Sequence, residues 1–493
     1  MKLFKSLFVG ALSLLFVAPM LISCEKDEPE ITPQNQEKDQ KEEEREKLLA
    51  TNRFYMKKYY EEYFPYYFWH DDVEQRVSKM DYNSYNTIEK YFYATLFSED
   101  RWSWMMTASD YLRDESGEKV GTYGVSLGQS IEYYNDYSIR VRYIYPGSPF
   151  EKHGVTRGWI LTHLNSVPVM DYVREGTFEK AYMENNQLFT FRDTEGNNHT
   201  FSSSPLASLF TRSSLKAEIF NPEDYPGLTE PVGYFHYLSF DAGDFLNDIH
   251  DAMAKFKEAD VHKLILDLRY NGGGDGRASN LLVSYLAPDS ADNKVYRRTI
   301  HNKALSVYDS NDTIHRQPNS LDLDALYVIG GEGTASASEV TINGLKPYLD
   351  LYLVGDTTYG KPNGMYVLLY PGEDEDYAKY NKGDYSSLRL VYLPIAFFSK
   401  NSLYESIPYK GFIPDNYRAD DLHHDFGVEE DNIKACLEHI VSGAFPALPN
   451  YFGAPVRTDA GSRYILPAEN VNDPLHGYTV LPVPEEMRKA VRK

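Results

Sequence analysis

Between Lys263 and Tyr270 the chain reads Lys-Leu-Ile-Leu-Asp-Leu-Arg-Tyr and passes without a spacer into Asn271-Gly272-Gly273-Gly274. An apolar run so nearly continuous predicts a strand covered on both faces, as in a parallel sheet with helices above and below it. A second run, Ala325 to Ile329, leads through Gly330-Gly331-Glu332-Gly333 into a helical pattern from Ser336 to Tyr348 and then a strand from Leu349 to Val354. Strand, turn, helix, strand is the repeating unit of α/β folds, and its reactive groups collect where the strands end. Residues 213–439 alternate in this way and are expected to form one α/β core.

Those strand ends hold the residues with chemistry. Thr334-Ala335-Ser336-Ala337-Ser338-Glu339 places small side chains where a strand turns sharply into a helix. A nucleophile there sits at a helix N-terminus, whose free N–H groups and dipole favour a developing negative charge. A serine hydroxyl still needs a base. No histidine motif offers one, but Gly360-Lys361-Pro362 follows the next strand through Gly355-Asp356-Thr357-Thr358-Tyr359. Lysine serves as a base only when neutral, which requires burial, so activity is expected to rise with pH as Lys361 loses its proton. Each piece alone has a plainer meaning: a glycine run after a strand is a tight turn, and Ser-Ala-Ser is a common helix start.

In this order and spacing the three motifs resemble those of the carboxyl-terminal processing (tail-specific) serine proteases. In that family the nucleophile is the first Ser of Ser-Ala-Ser-Glu and the base Lys stands 25 positions later, the separation of Ser336 and Lys361 here. The resemblance therefore implies Ser336, not Ser338, as nucleophile, Lys361 as base and Glu339 as the group orienting them. It implies an oxyanion hole from the Ala337 N–H and one N–H of Gly272 to Gly274, for which we take Gly273. An Asp that other members carry eleven positions after the Ser is replaced by Pro347. The implied core is of the crotonase/Clp-protease-like type, with no metal and no cofactor. Asp100-Arg101-Trp102-Ser103 resembles a family turn, as does Gly411-Phe412-Ile413-Pro414-Asp415 before a final helix containing Ile433, Cys436 and Leu437.

At 493 residues the chain exceeds one ordinary core. Residues 119–206 change to short alternating strands, with Gly147-Ser148-Pro149-Phe150 and Val155-Thr156-Arg157-Gly158-Trp159, and resemble a PDZ domain. That likeness implies a loop at Gly124, Val125, Ser126 and Leu127 whose N–H groups receive a peptide's terminal carboxylate while the peptide adds as a strand. Trp159 stands where such domains usually carry Asp, and the tyrosine-rich stretch 133–137 precedes the strand Ser138 to Tyr145. Before this, Leu48, Asn52, Tyr55, Tyr59 and Tyr63, then Ile88, Tyr91, Phe92 and Leu96, recur at helical spacing and predict a helical domain over 44–112.

The beginning of the chain reads as an address. Residues 1–23 join Lys2 and Lys5 to an apolar run from Leu7 to Ile22, the pattern of a secretory signal. Leu21-Ile22-Ser23-Cys24 resembles a bacterial lipobox, which implies lipidation of Cys24 and a place in the cell envelope, at the outer membrane, facing either periplasm or exterior. Residues 24–43 are acidic and are expected to form a flexible tether. Residues 440–493, rich in proline, show no assignable pattern.

A net charge of −23 with no basic stripe excludes a nucleic-acid role. Two cysteines, Cys24 and Cys436, give neither a disulfide framework nor a thiolate metal site, and the neighbouring His423 and His424 do not suggest chelation. The expected whole is multidomain α/β: a membrane-anchored serine endopeptidase acting on proteins or peptides with exposed C-termini. Its rivals are a catalytically silent binding protein on the same fold and a surface module binding peptides or glycans along a tyrosine-rich groove, the chain having 42 Tyr.

Overall fold

The computed structural model describes residues 33–448 and 479–491, apart from 135, 242–244, 372–374, 376–377, 380–381 and 385. Six strands form the central sheet, in the order Ser214–Phe220, Val232–Tyr237, Lys263–Asp267, Ala325–Gly330, Asp350–Gly355 and Asn416–Tyr417. All neighbours are parallel except the first pair. Leu264 and Leu266 lie beside Leu326 and Val328, and these four bury one face against the helices Leu246–Glu258, Gly276–Leu286 and Ala337–Leu345. The alternate residues Ile265, Tyr327, Ile329 and Val354 bury the other face against the helix Asp431–Ser442. Two covered faces are what the unbroken apolar runs demanded.

Two elements end earlier than their patterns predict. The strand expected to reach Tyr270 stops at Asp267, whose carboxylate accepts the Arg269 N–H at 3.2 Å and its Nε at 3.0 Å, turning the chain. The helix expected to reach Tyr348 stops at Leu345: Lys346 keeps helical backbone at φ −46°, ψ −38°, but Pro347 has no N–H to continue the ladder, and the Tyr348 N–H turns to the Leu345 carbonyl at 2.9 Å.

A second sheet carries the strand Asn363–Tyr370, one edge of which pairs antiparallel with Leu390–Leu393 and Ile395–Lys400. The region 44–112, expected to be a helical domain, also contributes a strand and shares its core with this sheet. Trp104–Thr107 is a strand paired with Leu390–Leu393, and Tyr59, Tyr63, Phe64, Tyr67 and Phe92 share one aromatic core with Tyr392 and Phe397. Tyr63 donates its hydroxyl to the Leu369 carbonyl at 2.7 Å. Much of the tyrosine content is thus spent on an interior, where each ring buries a large apolar surface.

The first helix runs Pro33–Lys58, so the stretch expected to be a flexible tether is helical from residue 33. A composition too polar for a core still suits a helix, since Glu, Lys, Gln and Arg are strong helix formers and Glu43 pairs with Lys47 at 2.7 Å one turn on. The signal segment and Cys24 lie outside the described residues. Among the described residues no helix is long and apolar enough to cross a membrane.

A third unit is an antiparallel sheet in the order Val125–Gly128, Ile139–Ile144, Ile160–Leu164, Gln187–Arg192 and Asn198–Ser203, closed around Tyr123, Phe150, Phe189 and Phe191. Arg157 ties it to the central sheet. Its buried guanidinium donates to the Arg142 carbonyl at 2.8 Å and the Tyr270 hydroxyl at 2.7 Å, and pairs with Asp420. The segment 440–493, unassigned from sequence, contains a strand, Thr479–Pro482, and a helix, Glu485–Val491.

Candidate active site

Three adjacent parallel strands end on one side of the sheet, and each delivers one piece of the site. Lys263–Asp267 leads into the glycine turn at 271–274, Ala325–Gly330 into Ser336, and Asp350–Gly355 into Lys361. Ser336 and Lys361 are fully buried, at 0% and 1% exposure. Ser336 precedes the helix Ala337–Leu345 and holds φ 54°, ψ −110°, a backbone that costs a non-glycine residue about 1–3 kcal/mol. The neighbours that hold it there are specific. Thr334 donates its hydroxyl to the Leu268 carbonyl at 2.7 Å, and Ser338 donates its own to the Asn271 carbonyl at 2.8 Å. Of the two serines in the motif, Ser338 is therefore committed to tying the helix to the glycine turn.

Glu339 joins the pieces. Its Oε2 accepts the backbone N–H of Ser336 at 3.1 Å and that of Lys361 at 2.8 Å, so the two residues flank a single oxygen. Its Oε1 accepts the Thr358 hydroxyl at 2.6 Å and the Gly360 N–H at 2.8 Å. Burial raises the Glu339 carboxyl above its ordinary value, opposed by these four hydrogen bonds. The donors serve the deprotonated form, since a carboxylate can accept all four.

Lys361 is treated differently. Burial pushes its ammonium well below the ordinary value, and the nearby charges of Asp100 and Glu339 pull the other way without overcoming it. A lysine held in this state is neutral at a pH where a solvated one is charged. Asp100 is itself held in place, accepting from the Tyr67 hydroxyl at 2.8 Å and from the backbone N–H groups of Trp102 and Ser103 at 2.9 and 3.0 Å. The Asp100-Arg101-Trp102-Ser103 turn is thereby part of the lysine's surroundings.

Ala337 is the first residue of its helix, and its N–H is among those a helix leaves without an intrahelical acceptor. Gly273, at φ +115°, faces it: a Cβ there would lie 3.0 Å from both the Ala337 nitrogen and the Ser336 Cβ. The absent side chain leaves open the space where those atoms converge. The Gly273 N–H, expected as the second donor, instead donates to Asn271 Oδ1 at 2.9 Å. This is the usual turn in which an Asn side chain accepts from the residue two positions on.

Sequence reasoning missed Thr358, whose hydroxyl both donates to Glu339 and accepts the Phe412 N–H at 2.7 Å. Its neighbourhood offered no signal beyond the Thr-Thr-Tyr-Gly-Lys run. It also left Asn271 without a role. The residues expected at a carboxylate loop are apart from this site: Val125, Ser126 and Leu127 form an edge strand with Gly128, and Leu209 packs against Gly124, where a Cβ would meet its Cδ2 at 2.5 Å. Among the described residues no cluster of His, Cys, Asp and Glu is arranged to hold a metal ion.

Residues 231–388, which span the glycine turn, Ser336 and Lys361, match the model of Peptidase family S41. The chain carries an S41 peptidase domain. A curated relative, the chloroplastic carboxyl-terminal-processing peptidase 3 of Arabidopsis thaliana, is 25% identical over 269 residues, 53% of this chain and 50% of that protein. The chain thus matches about half the length of this curated relative. A crystal structure assigned as an S41 protease, from Bacteroides fragilis NCTC 9343, shares the fold with a TM-score of 0.61 at 21% identity, over 79% of this chain and 96% of the other. The photosystem II D1 C-terminal processing protease is a looser match, TM-score 0.41 at 18% identity over 76% of this chain and 93% of the other.

Proposed function

We propose that this S41 domain is a serine endopeptidase working through Ser336 and Lys361. The observation that carries the reading is the shared Glu339 oxygen, which fixes a strained serine beside a buried lysine whose ammonium form is disfavoured. Ser336 Oγ attacks the substrate carbonyl carbon as its proton passes to Lys361 Nζ. The carbonyl oxygen takes the negative charge, faced by the Ala337 N–H and the positive end of its helix. Collapse breaks the C–N bond, the lysine returns its proton to the departing amine, and an acyl ester remains on Ser336. Water then attacks that ester with Lys361 again as base, releasing the acid and restoring both groups.

Glu339 is a positioning residue in this scheme, since its oxygens hold backbone atoms of the dyad. Gly273 contributes by the side chain it lacks. The sheet at 125–203 is read as a PDZ-like module whose edge strand Val125–Gly128 receives exposed C-terminal segments, with Gly124, Val125, Ser126 and Leu127 at the receiving end. Lipidation of Cys24 would anchor the enzyme in the bacterial envelope.

The test is fragment mass spectrometry on an unfolded protein incubated with the chain beginning after Cys24, with Ser336→Ala and with Lys361→Ala. Fragments from the unaltered enzyme alone support the dyad. Equal cleavage by all three sinks it, and no cleavage by any at several pH values favours a silent binding protein on this fold.

A further inference from the structure

The strand Asn363–Tyr370 begins two residues after Lys361, and Gly364 pairs on both of its edges. On one edge it faces Phe397 in the antiparallel ladder described above. On the other it faces Thr479, and the ladder continues in parallel through Met365 with Val480, Tyr366 with Leu481 and Val367 with Pro482. The far edge of the same segment pairs with Gly274 and Asp275, immediately after the glycine whose missing Cβ faces Ser336. Thr479 is therefore paired with both walls of the site, the glycine turn and the lysine strand.

Anchorage comes next in sequence. Met487 in the helix Glu485–Val491 is wholly buried in the aromatic core, Leu481, Val483 and Val491 pack against that core, and the Tyr308 hydroxyl donates to the Glu486 carbonyl at 3.2 Å. Ser336 and Lys361, at 0% and 1% exposure, are closed to solvent. A substrate cannot reach them unless something leaves.

We propose that the segment 479–491 is an intramolecular latch occupying the enzyme's own peptide-binding groove. The free edge of Asn363–Tyr370 is a row of backbone donors and acceptors beside the base, and an extended peptide adds to such an edge as a strand. The latch fills it, running parallel to Gly364–Val367, and substrate must displace it to bind in the same direction. This rests on the protease reading above, but strand occupancy is measurable without catalysis.

Three forms, each made with and without Ser336→Ala, test it: the unaltered chain, a chain ending at residue 478, and Met487→Asp, which puts a charge into the anchoring pocket. In the Ser336→Ala forms, amide hydrogen exchange at 364–367 is expected to quicken about tenfold or more on truncation or Met487→Asp, scaling as the reciprocal of the unlatched fraction. A synthetic peptide of sequence 479–491 should restore protection to the truncated form, and a scrambled peptide should not. In the forms with Ser336 intact, cleavage of an unfolded protein should rise by a similar factor and be suppressed competitively by the same peptide. A cooperative thermal melt of each variant excludes simple unfolding.

Exchange that is unchanged by truncation and by Met487→Asp, or a peptide that neither restores protection nor slows cleavage, overturns the latch while leaving proteolysis standing. Protection restored by the peptide with no cleavage in any form supports the latch as a binding element and overturns the protease reading instead.

Discussion

Two regions of the molecule bury cations beside carboxylates and treat them in opposite ways. At the junction of the antiparallel unit and the central sheet, Arg157 and Arg269 meet Asp267, Asp420 and Glu430, with Arg269 Nη1 and Nη2 at 2.5 and 3.0 Å from the two Glu430 oxygens. Burial opposes the charge on both guanidinium groups, but the carboxylates more than repay it, holding them well above their ordinary values and Asp420 below its own. At the active site burial is again the largest influence on Lys361, and there it wins. Of the two carboxylates that act on it, Asp100 accepts from the Tyr67 hydroxyl and the Trp102 and Ser103 N–H groups, and Glu339 from the Thr358 hydroxyl and the Ser336, Gly360 and Lys361 N–H groups. Buried cations stay charged when they share several carboxylates, as Arg157 and Arg269 share Asp420 and Glu430. A base stays neutral when the carboxylate beside it is already satisfied.

The strongest test of that contrast lies in the dyad. Ser336→Ala and Lys361→Met are each expected to lower kcat by at least about 10³-fold, and the double variant should be no worse, because residues acting as a unit do not add. Lys361→Met should also raise the melting temperature at neutral pH. The buried lysine binds protons less well folded than unfolded, so it detracts from stability at every pH below its unfolded value near 10.5, and a neutral side chain of similar length removes that cost. Each tenfold change in proton affinity is worth about 1.4 kcal/mol. An unchanged or lower melting temperature would mean that the folded chain favours the Lys361 ammonium, as it favours the charge on the two arginines. In the active enzyme the rise of kcat/KM with pH should have its midpoint well below 10.5, and a midpoint near the ordinary lysine value would carry the same message.

Glu339→Gln comes second. The amide keeps the shape but presents an NH2 where one carboxylate oxygen accepted two donors, so two N–H or O–H groups lose their acceptor. We expect kcat to fall about 10- to 100-fold with KM nearly unchanged, the mark of lost orientation at the reacting atoms. A change confined to KM would place Glu339 in substrate binding.

These contrasts were unequally legible from sequence. The strands ending at Asp267, Gly330 and Gly355 announce themselves through apolar runs and glycines, and Ser336 and Lys361 follow two of those strand ends closely, so local pattern carried the core and the place of both residues in it. What failed to show depends on distant pairing. Thr358 looks like any turn threonine until Glu339, nineteen positions earlier in chain, is folded against it. Trp104–Thr107 falls inside the stretch expected to be helical and is a strand because its partner is at 390–393. The segment 479–482 has too few residues for a period and becomes a strand only between two walls built elsewhere. That the Gly273 N–H turns to the Asn271 side chain depends on the same turn that the glycines make, which the run of glycines does not itself display.

Arg157→Met probes the other region. It removes one of the cations facing Asp420, and breaking a buried pair from one side typically costs about 3–5 kcal/mol. Tyr270, which the same guanidinium holds, stands two residues before Gly272, so activity should fall only several-fold while the melting temperature drops by several degrees. A loss of activity as deep as that of Lys361→Met, with stability intact, would move Arg157 into the site.

The smallest effect separates the regions by sign. Asp420 is held below its ordinary value, so the unfolded chain binds its proton more readily; its contribution is present above about pH 4 and is lost as pH falls through the folded value. Glu339 is held above its ordinary value, so its contribution is present below about pH 4.5 and is lost as pH rises through the folded value. Thermal melts between about pH 3 and 7 should therefore show Asp420→Asn flattening the acid limb of the stability curve and Glu339→Gln flattening a decline above it. If both variants changed the curve in the same direction, Glu339 would be an ordinary paired carboxylate, and the argument that its satisfaction by backbone donors leaves Lys361 neutral would fail with it.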